Sequence, residues 1–258
     1  MRSERASEAE ASVWSKVPQV TLAFWAIKIL ATTVGETGGD ALSMTLNLGY
    51  AVSSVIFLGF FCVTLAAQMA AKRYHPLFYW AVVVATTTVG TTTSDYLDRT
   101  VGLGYVKSSI MLFSAVIAVL VLWHFSTGKI EIDHITTRKN EFFYWLTILI
   151  SNTLGTALGD FTATTTRLGF ERGALVFAGL IALVAAAHYF TSIPDSVLFW
   201  SAYILTRPLG ATLGDTLTKP RGDGGLDLGR ITSSLAIAVT MIILIALTSR
   251  EGVQDKAT

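Results

Sequence analysis

Charged side chains are scarce in this chain: Asp, Glu, Lys and Arg make up 14% of its 258 residues, whereas 52% are hydrophobic. Soluble domains usually carry about 25% charged residues, so the composition indicates an integral membrane protein. The formal net charge is only +1, without the basic excess that is typical of nucleic-acid binding. We therefore expect a lipid bilayer as a partner and no nucleic acid.

Cysteine is nearly absent as well, since Cys62 is the single one, and this excludes an internal disulfide. The chain also lacks a nucleotide-binding motif, which argues against ATP-driven transport within it. Residues 1–17 mix both signs of charge and contain no apolar core. We expect a polar tail there rather than a cleaved signal peptide.

An internal repeat is the strongest feature that the chain does have. Tryptophans recur at intervals of 55, 65 and 55 residues, at Trp25, Trp80, Trp145 and Trp200. Each tryptophan is followed after ten residues by a glycine and after fifteen by an aspartate, in the blocks GETGGD, GTTTSD, GTALGD and GATLGD. A Leu-Gly pair follows every block. This regularity predicts four tandem copies of one structural unit.

Each repeat contains two apolar segments of about 20 residues, the length of a membrane-spanning helix. The sequence therefore predicts an all-α integral membrane protein with eight transmembrane helices, arranged as four tandem helix-pair repeats. The first helices are predicted at 18–43, 77–97, 142–163 and 194–217, and the second at 50–70, 105–124, 172–190 and 229–249. Because a helix pair returns the chain to its starting side, all four repeats should share one membrane orientation.

The predicted organisation has two halves. Repeats 1 and 2 occupy 18–125, a central loop occupies 126–141, repeats 3 and 4 occupy 142–249, and a C-terminal tail occupies 250–258. Ten Lys and Arg residues fall on the side of the N-terminus and seven on the opposite side. The positive-inside rule then predicts that both termini are cytoplasmic.

The small residues of the blocks are spaced for helix packing. Glycines four residues apart let two transmembrane helices approach closely. The residues assigned to packing are Gly35, Gly39, Gly90, Gly155, Gly159, Gly210 and Gly214.

The acidic residues of the blocks are the candidate metal ligands: Asp40, Asp95, Asp160, Asp215 and Glu36. An ionisable group inside a span costs at least ~2.5–3.5 kcal/mol near the bilayer centre, so a compensating partner is expected. Carboxylate, hydroxyl and amide oxygens suit Mg²⁺ or Mn²⁺ better than Zn²⁺. The supporting polar residues are Thr37, Thr91, Asn152, Thr156 and Thr212. The alternative interpretation is that the aspartates lie at helix ends in water.

Two cations within the first helices have no counterpart in the other repeats. We expect Lys28 and Arg207 to pair with acids on neighbouring helices and to couple charge movements at the site. For Lys28 the alternative is that its long side chain extends to a membrane interface. Asp98 and Arg99 are interpreted as a pair in a loop or at a helix end. The four tryptophans are interpreted as an interfacial aromatic belt.

With its regularly spaced tryptophans and G-x-x-x-[GS]-D blocks, the chain resembles a bacterial family of membrane-anchored proteins. Members of this family carry four tandem repeats, each with two transmembrane regions and a marked tryptophan, and the repeat has no assigned function. The resemblance covers residues 18–249. It implies a multi-pass protein of the bacterial inner membrane and implies no particular activity.

The residues favour a transporter or exporter of a hard divalent cation, Mn²⁺ or Mg²⁺, coupled to protons and without a tightly bound cofactor. An organic-cation carrier is the second transport hypothesis. A non-transporting membrane scaffold or sensor is a further alternative, and so is an intramembrane aspartyl enzyme, although we expect no enzyme. The sequence leaves a homo-oligomer open.

Overall fold

The computed structural model describes residues 17–71, 74–130, 135 and 137–254. Within these residues the fold is all-helical, with eight long helices and no strand. The helices are α1 (Leu22–Asp40), α2 (Gly49–Ala70), α3 (Pro76–Asp95), α4 (Tyr105–Thr127), α5 (Arg138–Asp160), α6 (Phe170–Phe190), α7 (Asp195–Thr218) and α8 (Arg230–Gln254). Of the predicted tails, residues 1–16 and 255–258 lie outside the described residues, as do 131–134 and 136 of the predicted central loop. Helix α8 continues into the predicted C-terminal tail as far as Gln254.

Local sequence signals explain where several helices begin. Thr21 and Thr137 cap α1 and α5 by accepting hydrogen bonds from the backbone amides of Phe24 and Asn140, both at 3.2 Å. Pro76 begins α3, where its fixed φ angle suits the first helical turn and its missing N–H costs nothing.

The ends of α1, α3 and α5 share an unusual feature. Each helix ends at the aspartate of its block and continues as a five-residue π-helix. The π-helices are Ala41–Thr45, Tyr96–Thr100 and Phe161–Thr165. In the fourth repeat α7 remains α-helical beyond its aspartate, as far as Thr218. Single π-helical turns occur frequently at functional sites, and here they follow three equivalent carboxylates.

A left-handed turn joins the two helices of every repeat and explains the Leu-Gly pair. The residue two positions before the glycine of the pair has a positive φ angle in all four repeats. These residues are Asn47, Gly102, Arg167 and Asp227. The glycines of the first three pairs also have φ angles between 72° and 78°, which are readily available only to glycine.

The odd-numbered helices form a closed inner ring. Helix α1 packs against α3, α3 against α5, α5 against α7, and α7 returns to α1. The tryptophans lie together at one end of the ring and the block aspartates at the other. The four inner helices therefore run in the same direction around one axis.

The even-numbered helices form an outer layer that interlocks the repeats. Each packs against the inner helix of the following repeat: α2 on α3, α4 on α5, α6 on α7, and α8 back on α1. Their outer faces expose apolar side chains, for example Val55, Ile110, Leu183 and Leu235. Apolar side chains that have no protein neighbour indicate contact with lipid.

Five segments in the described part of the chain are long and apolar enough to cross a membrane: Gly49–Ala70, Tyr105–Thr127, Arg138–Thr165, Phe170–Phe190 and Arg230–Ser249. They comprise the four outer helices and α5, and they support a membrane-embedded protein. Helices α1, α3 and α7 are less apolar than these five segments, because they carry many threonines and ionisable groups. These polar residues line the interior of the ring.

Candidate functional site

The inner ring stacks corresponding residues of the four repeats in layers along its axis. Close approach between neighbouring inner helices depends on glycine. A methyl group on Gly35 would collide with Thr87, and one on Gly210 would collide with Thr32. A methyl group on the equivalent glycines would also collide with a neighbouring helix: with Asn152 in the case of Gly90 and with Arg207 in the case of Gly155. The first glycine of each block therefore packs against the next inner helix, and the residues that it contacts there occupy equivalent positions in the four repeats.

A second set of contacts follows one helical turn later. Gly39 faces Thr91, Gly159 faces Ala211 and Gly214 faces Glu36. Ser94 occupies the corresponding position of the second repeat. The two sets of contacts place Glu36, Thr91, Thr156 and Ala211, which share one repeat position, at a common depth in the ring.

The block aspartates form the next layer, and all four are at most 3% exposed. Two basic residues join them in pairs. Arg99 lies 3.1 Å from both Asp95 and Asp160. Lys219 lies 3.0 Å from Asp40 and 3.1 Å from Asp215. We call the first group the arginine bridge (Asp95, Arg99 and Asp160) and the second the lysine bridge (Asp40, Lys219 and Asp215).

The two bridges reduce the fourfold arrangement to a twofold one. Arg99 and Lys219 each follow the aspartate of their own repeat by four residues, and each also binds the aspartate of the following repeat. The first and third repeats carry Met44 and Thr164 at the same position. At this position a basic residue is therefore present in repeats 2 and 4 only. Arg230 of α8 adds a further basic contact, with its Nε atom 3.5 Å from Asp40.

Neither bridging residue was predicted as part of the site. The interpretation of Asp98 and Arg99 as a mutual pair was wrong, because Asp98 accepts a hydrogen bond from Ser94 at 3.2 Å while Arg99 reaches two block aspartates. The signal that would have revealed both bridges is a basic residue four positions after the block aspartate, where side chains share a helical face.

Arg207 lies on the axis one layer deeper. Its guanidinium group is fully buried and lies 2.9 Å from the Glu36 carboxylate. It also donates to the hydroxyl groups of Thr91 and Thr156, both at 2.6 Å. One side chain thus joins the equivalent positions of three repeats, and at the fourth position Ala211 offers no polar group.

Lys28 differs from the expectation that it would pair with an acid. Its Nζ atom is buried 4.1 Å from the centroid of the Tyr203 ring, where a cation–π contact forms. Within the described residues this nitrogen has no hydrogen-bond partner. The ring of Tyr203 occupies the same repeat position as Lys28, so the contact crosses from the fourth repeat to the first.

The tryptophans do not form a lipid-facing belt, and that interpretation was wrong for three of the four. Trp80, Trp145 and Trp200 are at most 5% exposed. Each contacts the aromatic residue that precedes the tryptophan of the previous repeat. The eight residues Phe24, Trp25, Tyr79, Trp80, Tyr144, Trp145, Phe199 and Trp200 form a cyclic arrangement that we call the aromatic plug.

Three of the five predicted metal ligands come together. Glu36, Asp40 and Asp215 each offer a carboxylate oxygen, and these oxygens all lie within 4.8 Å of one another. Asp95 and Asp160 lie in the arginine bridge instead. Among the supporting polar residues, Thr91 and Thr156 bind Arg207, and Asn152 donates to Thr86 at 2.9 Å.

The other two supporting residues bind elsewhere. Thr37 accepts a hydrogen bond from Ser234 of α8, and Thr212 donates to the backbone carbonyl of Pro208. The first contact joins α1 to α8, and the second lies within α7.

At the acidic end of the ring, which we call the open end, three basic side chains reach the surface. The side chain of Arg99 is 30% exposed, that of Arg230 is 21% exposed and that of Lys219 is 10% exposed. Lys219 lies beyond the last residue of α7. Burial lowers the pKa of its ammonium group, but the Asp215 and Asp40 carboxylates outweigh this effect, and the net shift is upward. Lys219 therefore remains positively charged beside the carboxylates.

The fold and the site together define a helical membrane protein of four cyclically interlocked repeats with buried, partly compensated carboxylates at one end of its axis. The chain belongs to the family described as Repeat of Unknown Function (DUF347), whose model matches it four times, at residues 23–74, 78–129, 143–193 and 198–252. Each match contains one inner and one outer helix. No curated protein and no solved structure matches the chain.

Proposed function

We propose that the chain spans the bacterial inner membrane eight times and transports a hard divalent cation, Mn²⁺ or Mg²⁺, rather than acting as an enzyme. The observation that carries this proposal is the buried group formed by Glu36, Asp40 and Asp215, whose oxygens lie within 4.8 Å of one another. Such oxygen ligands suit hard divalent cations. We call these three residues the cation site.

The arrangement of the two layers supports eight spans. Helices α1, α3 and α7 lie in the inner ring, where the outer helices separate their polar groups from lipid. Intramembrane ionisable residues usually face the interior of a bundle in this way. With both termini cytoplasmic, the aromatic plug faces the cytoplasm and the cation site faces the opposite side.

In this proposal, the arrangement is a state of the transporter that is closed toward the plug. An ion arriving from the open end reaches the cation site, but Arg207, Lys28 and the aromatic plug lie beyond it along the axis. Transport therefore requires a second conformation in which the plug opens. Carboxylates that lose a bound cation favour taking up protons, and this supports proton coupling.

Thermal unfolding of the purified protein tests the proposal. A ligand that binds only the native state at 100 times its Kd adds about 2.7 kcal/mol to the free energy of unfolding. Mn²⁺ and Mg²⁺ should therefore raise the Tm of the unchanged protein more than Zn²⁺ does. The increase should disappear in Glu36→Gln, Asp40→Asn and Asp215→Asn.

Asp223→Asn is the matched control. Asp223 is exposed near the same end of the molecule, and its substitution removes the same charge. It should keep the full Mn²⁺ response. The proposal fails if neither Mn²⁺ nor Mg²⁺ raises the Tm, or if the three site variants respond as the control does.

A non-transporting scaffold or sensor is the second candidate. The arginine and lysine bridges favour it, because they neutralise buried aspartates without any external ion. In that case the site variants change the Tm by the same amount with and without divalent cations.

A further inference from the structure

Lys219 occupies the place where a divalent cation would bind. Its ammonium group lies 3.0 Å from Asp40 and 3.1 Å from Asp215, and these are two of the three carboxylates of the cation site. The Oδ1 atom of Asp40 is buried and accepts no hydrogen bond within the described part of the chain. Two further basic residues border the site, since Arg230 Nε lies 3.5 Å from Asp40 and Arg207 lies 2.9 Å from Glu36. Lys219 is the only one of the three within 3.1 Å of both aspartates among the described residues.

Lys219 is held less firmly than the basic residue of the other bridge. Arg99 donates to the hydroxyl groups of Tyr50 and Tyr105, at 3.0 and 3.2 Å, in addition to its two aspartates. The lysine ammonium is a point charge on a flexible stem, whereas a guanidinium group is a rigid fork with five donors. Displacing Lys219 consequently breaks fewer fixed contacts than displacing Arg99.

The main chain at Lys219 is held by hydrogen bonding and packing, whereas a lysine side chain has several rotatable bonds. The Lys219 carbonyl oxygen accepts a hydrogen bond from the Asp227 amide at 3.0 Å, and a methyl group on Gly225 would collide with the same carbonyl. These contacts come from the loop of the fourth repeat, where KPRGDGG adds residues absent from the other repeats. The longer loop thus anchors one end of Lys219 beside the site while its ammonium group can move.

We propose that Lys219 is a tethered competitor of the transported cation: it neutralises Asp40 and Asp215 when no divalent cation is bound and leaves them when one binds. This inference rests on the proposed cation site. The displaced ammonium group moves toward the open end, where the side chain is already 10% exposed. Together with Arg230, which lies 3.5 Å from Asp40, Lys219 thereby keeps both carboxylates compensated when no divalent cation is bound.

Mn²⁺ titration of the purified full-length protein, followed by the electron paramagnetic resonance signal of free Mn²⁺, tests the competition. If Lys219 leaves the carboxylates accessible about a tenth of the time, its removal tightens the apparent Kd about tenfold. Lys219→Gln should show this gain. Lys219→Arg should bind Mn²⁺ more weakly than the unchanged protein, because a guanidinium group binds carboxylates through two parallel hydrogen bonds.

Lys107→Gln is the control for loss of charge, since Lys107 is exposed near the start of α4. It should bind Mn²⁺ as the unchanged protein does. If the unchanged protein binds Mn²⁺ and Lys219→Gln binds it no more tightly, Lys219 is not a competitor, although the cation site stands. If Lys219→Gln does not fold, equal or tighter binding by Lys219→Arg overturns the inference. If neither the unchanged protein nor a folded Lys219→Gln binds Mn²⁺, the proposed function fails as well.

Discussion

At the scale of single residues, the buried ion pair between Arg207 and Glu36 carries a large electrostatic cost. Both groups lose their hydration on burial. For Arg207, hydrogen bonds to the hydroxyl groups of Thr91 and Thr156 replace part of the lost hydrogen bonding to water. The sequence predicts an acidic partner for Arg207 on a neighbouring helix, but it does not identify Glu36 as that partner. The pairing depends on α7 and α1 being neighbours across the closure of the ring.

Removing only one partner of this pair should destabilise the protein strongly. We expect Arg207→Met to lower the free energy of unfolding by about 3–5 kcal/mol, because Glu36 is left as an uncompensated buried charge. The double variant Arg207→Met with Glu36→Gln should recover most of this loss. Denaturant unfolding of the three proteins in detergent measures both effects, and additive losses in the double variant would contradict the pairing.

At the scale of helices, the sequence predicts the elements well and their surroundings less well. The repeat period and the lengths of the apolar segments predict the bounds of all eight helices to within about five residues. The orientation of the tryptophans was mispredicted because an interfacial belt and an internal plug require the same residue type at the same helix end. The bridges were missed because Arg99 and Lys219 lie just past the blocks, in segments that looked like loops.

Close packing of inner helices predicts different responses from two glycines. A methyl group on Gly90 would lie 2.9 Å from the Asn152 backbone, which cannot move aside, whereas one on Gly59 of α2 would meet nothing within 4 Å. We expect Gly90→Ala to cost about 1–3 kcal/mol through overpacking. Gly59→Ala should be neutral or stabilising by up to about 1 kcal/mol. Thermal unfolding compares them, and equal effects would argue against the ring geometry.

At the scale of the whole molecule, the fourth repeat packs against the first. Outer helix α8 packs on α1, and Ser234 Oγ lies 2.7 Å from Thr37 Oγ1, although the two residues are 197 positions apart. Fourfold repetition in the sequence predicts related units around an axis. It does not predict that each outer helix packs on the inner helix of the following repeat, because that choice depends on three-dimensional packing.

Cysteine pairing tests the closure. In a background with Cys62→Ala, the pair Thr37→Cys and Ser234→Cys should form an intramolecular disulfide under mild oxidation, since the two side chains already touch. The pair Ser114→Cys and Ser234→Cys is the control and should remain reduced, because α4 packs on α5 whereas α8 packs on α1. Mass spectrometry of digested protein detects the link. Absence of the Thr37–Ser234 link, or equal linking in the control, would contradict a closed ring.

The central claim is that Glu36, Asp40 and Asp215 bind a divalent cation that crosses the membrane. The most direct measurement is Mn²⁺ flux into proteoliposomes that contain the unchanged protein, Asp40→Asn, Asp215→Asn or the control Asp223→Asn. The account predicts flux that rises with an opposing proton gradient for the unchanged protein and the control, and a loss of at least about tenfold in the two site variants. Flux equal to that of empty liposomes for the unchanged protein, or undiminished flux in both site variants, would contradict it.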